Sequence, residues 1–217
     1  MRTKYTKPFF LVFFILLVDQ VLKFWVKLHM TLGQEYKIFG NWAIIHFLEN
    51  NGMAYGMEFG GEIGKLVLTL FRIIAILCIG YGLIYLIKNR FHSGLIVSVA
   101  LIFAGAAGNI IDSTFYGVFF SESTYSTPAK LVPLFHGYAG IFHGKVVDMF
   151  YFPMLHGVFP RWMPFWAGEE FVFFRPVFNV ADAAISIGVG LILIFQKKYY
   201  REEEGDQSYL NSEVIEE

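Results

Sequence analysis

Apolar residues form four stretches along the chain, and each is long enough to cross most or all of a lipid bilayer core. The stretches cover residues 9–27, 66–87, 95–112 and 178–195. A transmembrane helix needs about 20 predominantly apolar residues. The pattern therefore predicts a polytopic α-helical membrane protein with four transmembrane helices. Two long connectors, residues 28–64 and 113–177, lie between the first and second and between the third and fourth spans.

The connectors have their own patterns. The stretch from Ile38 to Leu48 is rich in residues that favour strands and contains a Gly-Asn turn, so we predict short β-strands there. The second connector is rich in aromatic residues, glycine and proline. Its segment 159–166 contains two prolines that would break a spanning helix, and its Phe and Trp residues are typical of the membrane interface.

Basic residues predict the orientation. They cluster at the N-terminus, in the loop 88–90 and in the flank 197–201, whereas the first connector contains only Lys37. Lysine and arginine accumulate on the cytoplasmic side. We therefore expect both termini in the cytoplasm and both long connectors outside. Residues 1–201 are predicted to form one membrane-embedded domain, and the acidic tail 202–217 is predicted to be a disordered cytoplasmic segment.

Composition narrows the possible functions. Of the 217 residues, 56% are hydrophobic and 16% are charged, and the net charge is −1; a soluble domain is about a quarter charged. Such a chain is not expected to bind nucleic acid. The single cysteine, Cys78, excludes intrachain disulfides and is predicted to be buried. The histidines show no His-Glu-x-x-His pattern, so we expect no metal and no cofactor.

Several polar residues interrupt the apolar stretches, where a charge is costly and needs a partner or a function. Asp19 and Lys23 share one face of the first span because they are four residues apart. On the third span, one face carries small residues that allow close helix packing, together with two polar side chains. These residues are Gly105, Gly108, Asn109 and Asp112.

Asp148 and Asp182 are the candidate catalytic residues. The topology alone places both near the outer membrane face, and two carboxylates there suggest paired acid–base catalysis. The residues also allow simpler interpretations. Asn179-x-x-Asp182 has the spacing of a helix capping box, and Asp148 could be an exposed acidic residue of a loop.

Five motifs, taken in order, resemble those of the bacterial lipoprotein signal peptidases, the signal peptidase II family. They are Asp19-Gln20 with Lys23, Asn50-x-Gly52-x-Ala54-Tyr55, Gly108-Asn109-x-x-Asp112, Val146-Val147-Asp148 and Phe178-Asn179-x-Ala181-Asp182-x-x-Ile185. The resemblance covers residues 9–195. It implies four transmembrane helices with a small external β-cradle and a long external connector.

The resemblance also implies an activity. It points to an aspartic endopeptidase of the bacterial inner membrane, surrounded by lipids, with its active site near the outer face. Its substrate would be a diacylglyceryl-modified prolipoprotein, cut just before the lipidated cysteine. We separately expect a monomer, although the sequence does not give the oligomeric state. Asp148 and Asp182 match the catalytic pair. Matches to supporting positions are Asp19, Lys23, Asn50, Gly52, Asn109, Asp112 and Asn179.

Two features depart from the family pattern. The third motif usually ends in arginine, and this chain has Ser113 there. Arg72, in the second span, is our candidate for the missing positive charge near Asp112; the alternative is that it extends to the lipid head groups. The connector between Asp112 and Asp182 is also longer than expected.

Two other classes of function remain open on the residues alone. Intramembrane acids also occur in proton-coupled transporters, although this chain shows no inverted repeat. Polar residues could instead hold helices together in a non-catalytic assembly protein. Cleavage of a diacylated precursor would distinguish the three hypotheses.

Overall fold

A computed structural model describes residues 3–51, 61–173 and 175–215. Its long helices are α1 (Thr3–His29), α2 (Gly61–Lys88), α3 (Ser93–Ile111) and α5 (Val180–Ile215). A π-helical turn, Asp112–Tyr116, follows α3 and leads into the short helix α4, Gly117–Phe119. The strands are β1 (Glu35–Phe39), β2 (Ala43–Asn50), β3 (Val146–Tyr151), β4 (Leu155–Val158), β5 (Glu170–Phe173) and β6 (Val177–Phe178).

Within the described residues, four helical segments are long and apolar enough to cross a membrane, as predicted. They are Thr6–His29, Ile63–Lys88, Ser93–Phe119 and Val180–Tyr199. The third span extends beyond the predicted end at Asp112, and the fourth begins after Asn179 because Phe178 belongs to β6. Large apolar side chains such as Phe10 and Leu77 are exposed on the spans, as expected for helices surrounded by lipid.

The chain divides into two compact units. The first unit contains α1 up to Gln20, α2 from Glu62, α3 and α5. Its core is a cluster of buried apolar residues on α1, α2 and α3, namely Val12, Leu83, Ile87, Ala100 and Ala104. Helix α3 packs closely on α5: a Cβ added at Gly188 would lie 2.6 Å from the Ser98 carbonyl oxygen.

The second unit contains α1 from Val21, the strands, the π-helical turn and the long connector up to Asn179. Four strands form an antiparallel sheet in the order β1-β2-β3-β6. The sequence predicted the β1–β2 hairpin, whose turn contains Gly40 with a φ of 53°. Strands β3 and β6 of this sheet were not predicted. β3 pairs with β2, which is distant in sequence, and with β6, which lies in the same irregular connector.

A separate two-stranded sheet, β4–β5, also belongs to the second unit. Its strands pair antiparallel, with Val158 opposite Glu170. The loop that joins them spans residues 159–169 and includes the aromatic segment predicted for the membrane interface.

One expectation differs from the structure: Cys78 is exposed on α2 rather than buried. Helix α5 extends to Ile215, and the disorder predicted for the tail 202–217 stays a prediction. The assignment of residues 1–201 to one domain stays a prediction.

Candidate active site

Asp182 lies in the first turn of α5 and is held by a neighbouring helix. The Asn109 amide of α3 donates a hydrogen bond to Asp182 Oδ1 at 2.8 Å. This reach depends on close helix packing, because a Cβ added at Gly105 would lie 2.2 Å from the Ala181 carbonyl oxygen. The small residues predicted for the α3 seam thus place Asn109 against the carboxylate.

Asp19 holds the N-terminus of the same helix. Its side chain is fully buried, and its Oδ1 accepts the backbone N–H of Ala181 at 2.9 Å. A carboxylate at this place satisfies an unpaired N–H group and interacts favourably with the helix dipole. The Asp19 carboxylate fits here because residue 108 is glycine: a Cβ at that position would lie 2.7 Å from Asp19 Oδ2. Asp19 therefore fixes the turn that carries Asp182.

Asp148 lies in β3 and is only 6% exposed. The Asn179 amide donates to Asp148 Oδ1 at 2.8 Å and to the Val147 carbonyl at 3.2 Å. Asn179 follows β6, which pairs with β3, so the sheet brings the amide to the carboxylate. Because Asp148 is buried, the simple interpretation as an exposed loop acid is wrong.

Asp112 and Lys23 form a fully buried ion pair with 2.8 Å between Oδ2 and Nζ. The same Asp112 oxygen accepts the backbone N–H of Val147 at 3.3 Å, one residue before Asp148. Lys23 is therefore a positive partner of Asp112 within its own unit. Ser113, where the resemblance led us to expect arginine, is buried, and its carbonyl accepts the Gly144 N–H at 2.8 Å.

A second buried ion pair was not predicted. Lys27, also on α1, contacts Glu49 and donates to Ser123 at 3.1 Å. Ser123 donates in turn to Glu49 at 2.7 Å, and Lys145 lies 3.5 Å from the other Glu49 oxygen. The ring of Tyr138 lies beneath both ammonium groups. The available sequence signal was the position of Lys27, four residues after Lys23 on the same helix face.

Tyr138 is buried beside this pair. Burial raises the pKa of its phenol, and the hydrogen bond that the Lys145 N–H donates to the hydroxyl at 2.7 Å acts in the opposite direction. Because burial prevails, the phenol stays protonated at neutral pH.

Asn50 ends β2, with Val146 of β3 as its register partner. It directly follows Glu49, so the buried Lys27–Glu49 pair fixes the strand end that carries it. Gly52, from the same motif, lies outside the described residues.

Arg72 of α2 is half-buried and lines a cavity of about 220 Å³ between α2, α3 and α5. Asn109 and Asp182 line the same cavity, and the rest of its wall is apolar. The positive charge of Arg72 interacts with Asp182. This places the arginine in the surroundings of Asp182, a partner that the sequence did not suggest.

The predicted residues thus fall into two groups, each arranged within one unit. Asp182, Asn109 and Asp19 lie in the first unit. The second unit contains Asp148 with Asn179, Asp112 with Lys23, and Asn50. In each group an asparagine amide binds an aspartate through one hydrogen bond of 2.8 Å.

The chain is similar to known proteins along most of its length. A solved structure of a bacterial membrane enzyme matches with a TM-score of 0.58 and 24% identity, covering 89% of both chains, which supports the fold. A lipoprotein signal peptidase of Porphyromonas gingivalis is 55% identical over 186 residues, 85% of this chain and 80% of the relative. One from Amoebophilus asiaticus is 38% identical over 197 residues, 89% and 79% of the two chains. The family model described as signal peptidase (SPase) II matches residues 11–197, and this chain belongs to that family.

Proposed function

We propose that the protein is a membrane aspartic endopeptidase that removes signal peptides from diacylglyceryl-modified prolipoproteins, cutting just before the lipidated cysteine. Its membership of the signal peptidase II family and the names of its relatives support this activity. Four membrane-spanning segments fit a substrate that is itself embedded in lipid.

The two asparagine–aspartate pairs carry the assignment of Asp148 and Asp182 as the catalytic dyad. Hydrogen bonds to carboxylates are stronger than neutral ones and orient the acceptor. Asn109 and Asn179 each fix one oxygen of an aspartate at 2.8 Å. Asn179 is also only three residues before Asp182 in the chain. One short segment therefore contains both Asp182 and the asparagine that binds Asp148.

The surroundings suggest different starting roles for the two acids. Asp182 has the charge of Arg72 and the start of a helix near it. We therefore assign Asp182 as the general base that takes a proton from the attacking water. The water oxygen bonds to the scissile carbonyl carbon while Asp148 donates a proton to the carbonyl oxygen. When the C–N bond breaks, Asp182 gives its proton to the leaving amine. Asp148 takes a hydroxyl proton from the tetrahedral intermediate as the new carboxylic acid forms, which restores the dyad.

A cleavage assay tests the dyad directly. Purified protein would be given a diacylglyceryl-modified precursor, with an unlipidated precursor as the substrate control. Asp148→Asn and Asp182→Asn should each reduce cleavage by about 10²–10⁴-fold, because an amide can neither take the proton of the water at position 182 nor transfer one to the carbonyl oxygen at position 148. The matched control is Glu122→Gln, whose carboxylate is 68% exposed, and it should retain activity. Cleavage close to wild type by a folded Asp148→Asn or Asp182→Asn protein would contradict the assignment.

The same proposal includes location and assembly. We expect a monomer in the bacterial inner membrane, in contact with lipids, with cytoplasmic termini and an active site near the outer face. In a Cys78→Ser background, cysteines at the exposed positions Asn89 and Ser126 would report orientation. A membrane-impermeant maleimide should label position 126 in intact cells and position 89 only after lysis. The reverse pattern would contradict the orientation.

A further inference from the structure

The loop between β4 and β5 is closed by its own backbone. The Phe159 N–H donates to the Glu169 carbonyl at 2.9 Å, and the Gly168 N–H donates to the Phe159 carbonyl at 3.0 Å. Two tighter turns, Met163 to Pro160 and Glu169 to Trp166, are each closed at 3.0 Å. The loop thus has a defined backbone shape, which sets the positions from which its side chains project.

Those side chains are large, aromatic and exposed. Trp162 and Phe165 are each 80% exposed, and Trp166 is 52% exposed. Trp166 contacts Phe159 and Phe165, with ring centroids 5.9 and 6.2 Å apart. A two-stranded hairpin is only marginally stable in water, and an exposed apolar cluster of this kind marks an interaction surface. We call Trp162, Phe165 and Trp166 the aromatic tip.

Positive and negative charges lie at opposite ends of the loop. Arg161, beside Trp162, is the only charged residue among residues 159–168, whereas Glu169 and Glu170 stand where the loop joins β5. The tip therefore combines aromatic rings with a positive charge, and the negative charges lie at the base. This arrangement complements a surface that is apolar inside and carries phosphate at its boundary.

The lipid–water interface is such a surface, and the unit that carries the hairpin also contains the ends of two membrane spans. These are the α1 segment from Val21 to His29 and the segment that ends at Phe119. Tryptophan and arginine both suit the interface, since the indole is amphipathic and the guanidinium binds phosphate. We propose that the β4–β5 loop inserts its aromatic tip into the bilayer interface, with Arg161 at the level of the lipid phosphates.

Tryptophan fluorescence tests the insertion without reference to catalysis. The chain has four tryptophans, so Trp25→Phe, Trp42→Phe and Trp166→Phe together leave Trp162 as the only one. In phosphatidylcholine–phosphatidylglycerol vesicles with brominated acyl chains, Trp162 emission should be strongly quenched and aqueous iodide should have little effect. Emission quenched by iodide but not by brominated lipid would overturn the proposal, and the aromatic tip would then be interpreted as a binding surface for a protein partner.

A second measurement covers the case in which the triple variant does not fold. Phe165→Cys in a Cys78→Ser background accepts a spin label, whose relaxation should respond to oxygen more than to a water-soluble nickel complex. The opposite preference would overturn the proposal.

Arg161→Glu should reduce the lipid quenching of Trp162. Lys130→Glu should not, because Lys130 is an exposed lysine elsewhere in the connector. Equal quenching in the Arg161→Glu variant would refute the phosphate contact.

Discussion

Lys23 and Asp112 lie 2.8 Å apart, and neither side chain is exposed. Asp112 also binds the backbone N–H of Val147, beside Asp148. One ion pair thus connects α1 to the strand that carries a proposed catalytic residue. A lysine of α1 thus neutralises the carboxylate of Asp112.

Replacing Lys23 with methionine should destabilise the protein. Methionine keeps the apolar length but leaves a buried carboxylate without its partner, which costs about 3–5 kcal/mol. Thermal unfolding of the purified protein should show a lower midpoint, and precursor cleavage should fall with it. Lys37→Met is the control, because Lys37 is exposed and binds Asn41 on the surface. Equal midpoints for the two variants would contradict a structural role of the pair.

Asn109→Ala and Asn179→Ala should each slow cleavage more than they affect folding. Each removes one hydrogen bond to a carboxylate, which is worth about 1.5–3 kcal/mol, or roughly 10–100-fold in rate. The cleavage rate at saturating substrate is the measurement. Asn41→Ala removes an exposed asparagine hydrogen bond and should leave the rate unchanged. Wild-type rates in both variants would show that the two amides do not position the dyad.

Gly105→Ala should separate α3 from α5. The added methyl would lie 2.2 Å from the Ala181 carbonyl oxygen, which is backbone and cannot rotate away. We expect a loss of about 1–3 kcal/mol of stability and lower activity, because the Asn109–Asp182 hydrogen bond depends on this packing. Gly82→Ala is the matched control on α2, where a Cβ would meet no atom within 4 Å. Tolerance of alanine at both positions would argue against the tight seam.

Arg72→Gln should lower the cleavage rate about tenfold, roughly 1.4 kcal/mol, without changing KM. The reason is loss of the positive charge that acts on Asp182, and Arg72→Lys should therefore retain more activity than Arg72→Gln. Adding Ser113→Arg should not rescue Arg72→Gln, because Ser113 is only 3% exposed, and a second positive charge placed there would be buried at a cost. Full activity of Arg72→Gln would leave Arg72 as an anchor at the membrane interface.

The sequence alone determined the features that depend on short-range patterns. About 20 apolar residues suffice for a span wherever the chain folds, so all four spans were predictable with small errors at their ends. The β1–β2 hairpin was predictable because its strands and turn are contiguous. The five motifs indicated the family because each is a local combination of residue types.

Only the tertiary structure decided which polar groups meet. Asn179 has the spacing of a capping residue, yet its amide binds Asp148, 31 residues earlier, and Asp19 of α1 receives the Ala181 N–H, 162 residues away. Lys27 and Glu49 gave no recognised signal, although together they form a buried ion pair. A buried charge must find its partner wherever packing brings one. Sequence separation carries no information about that choice, because the partner is set by the packing of helices and strands that are distant along the chain.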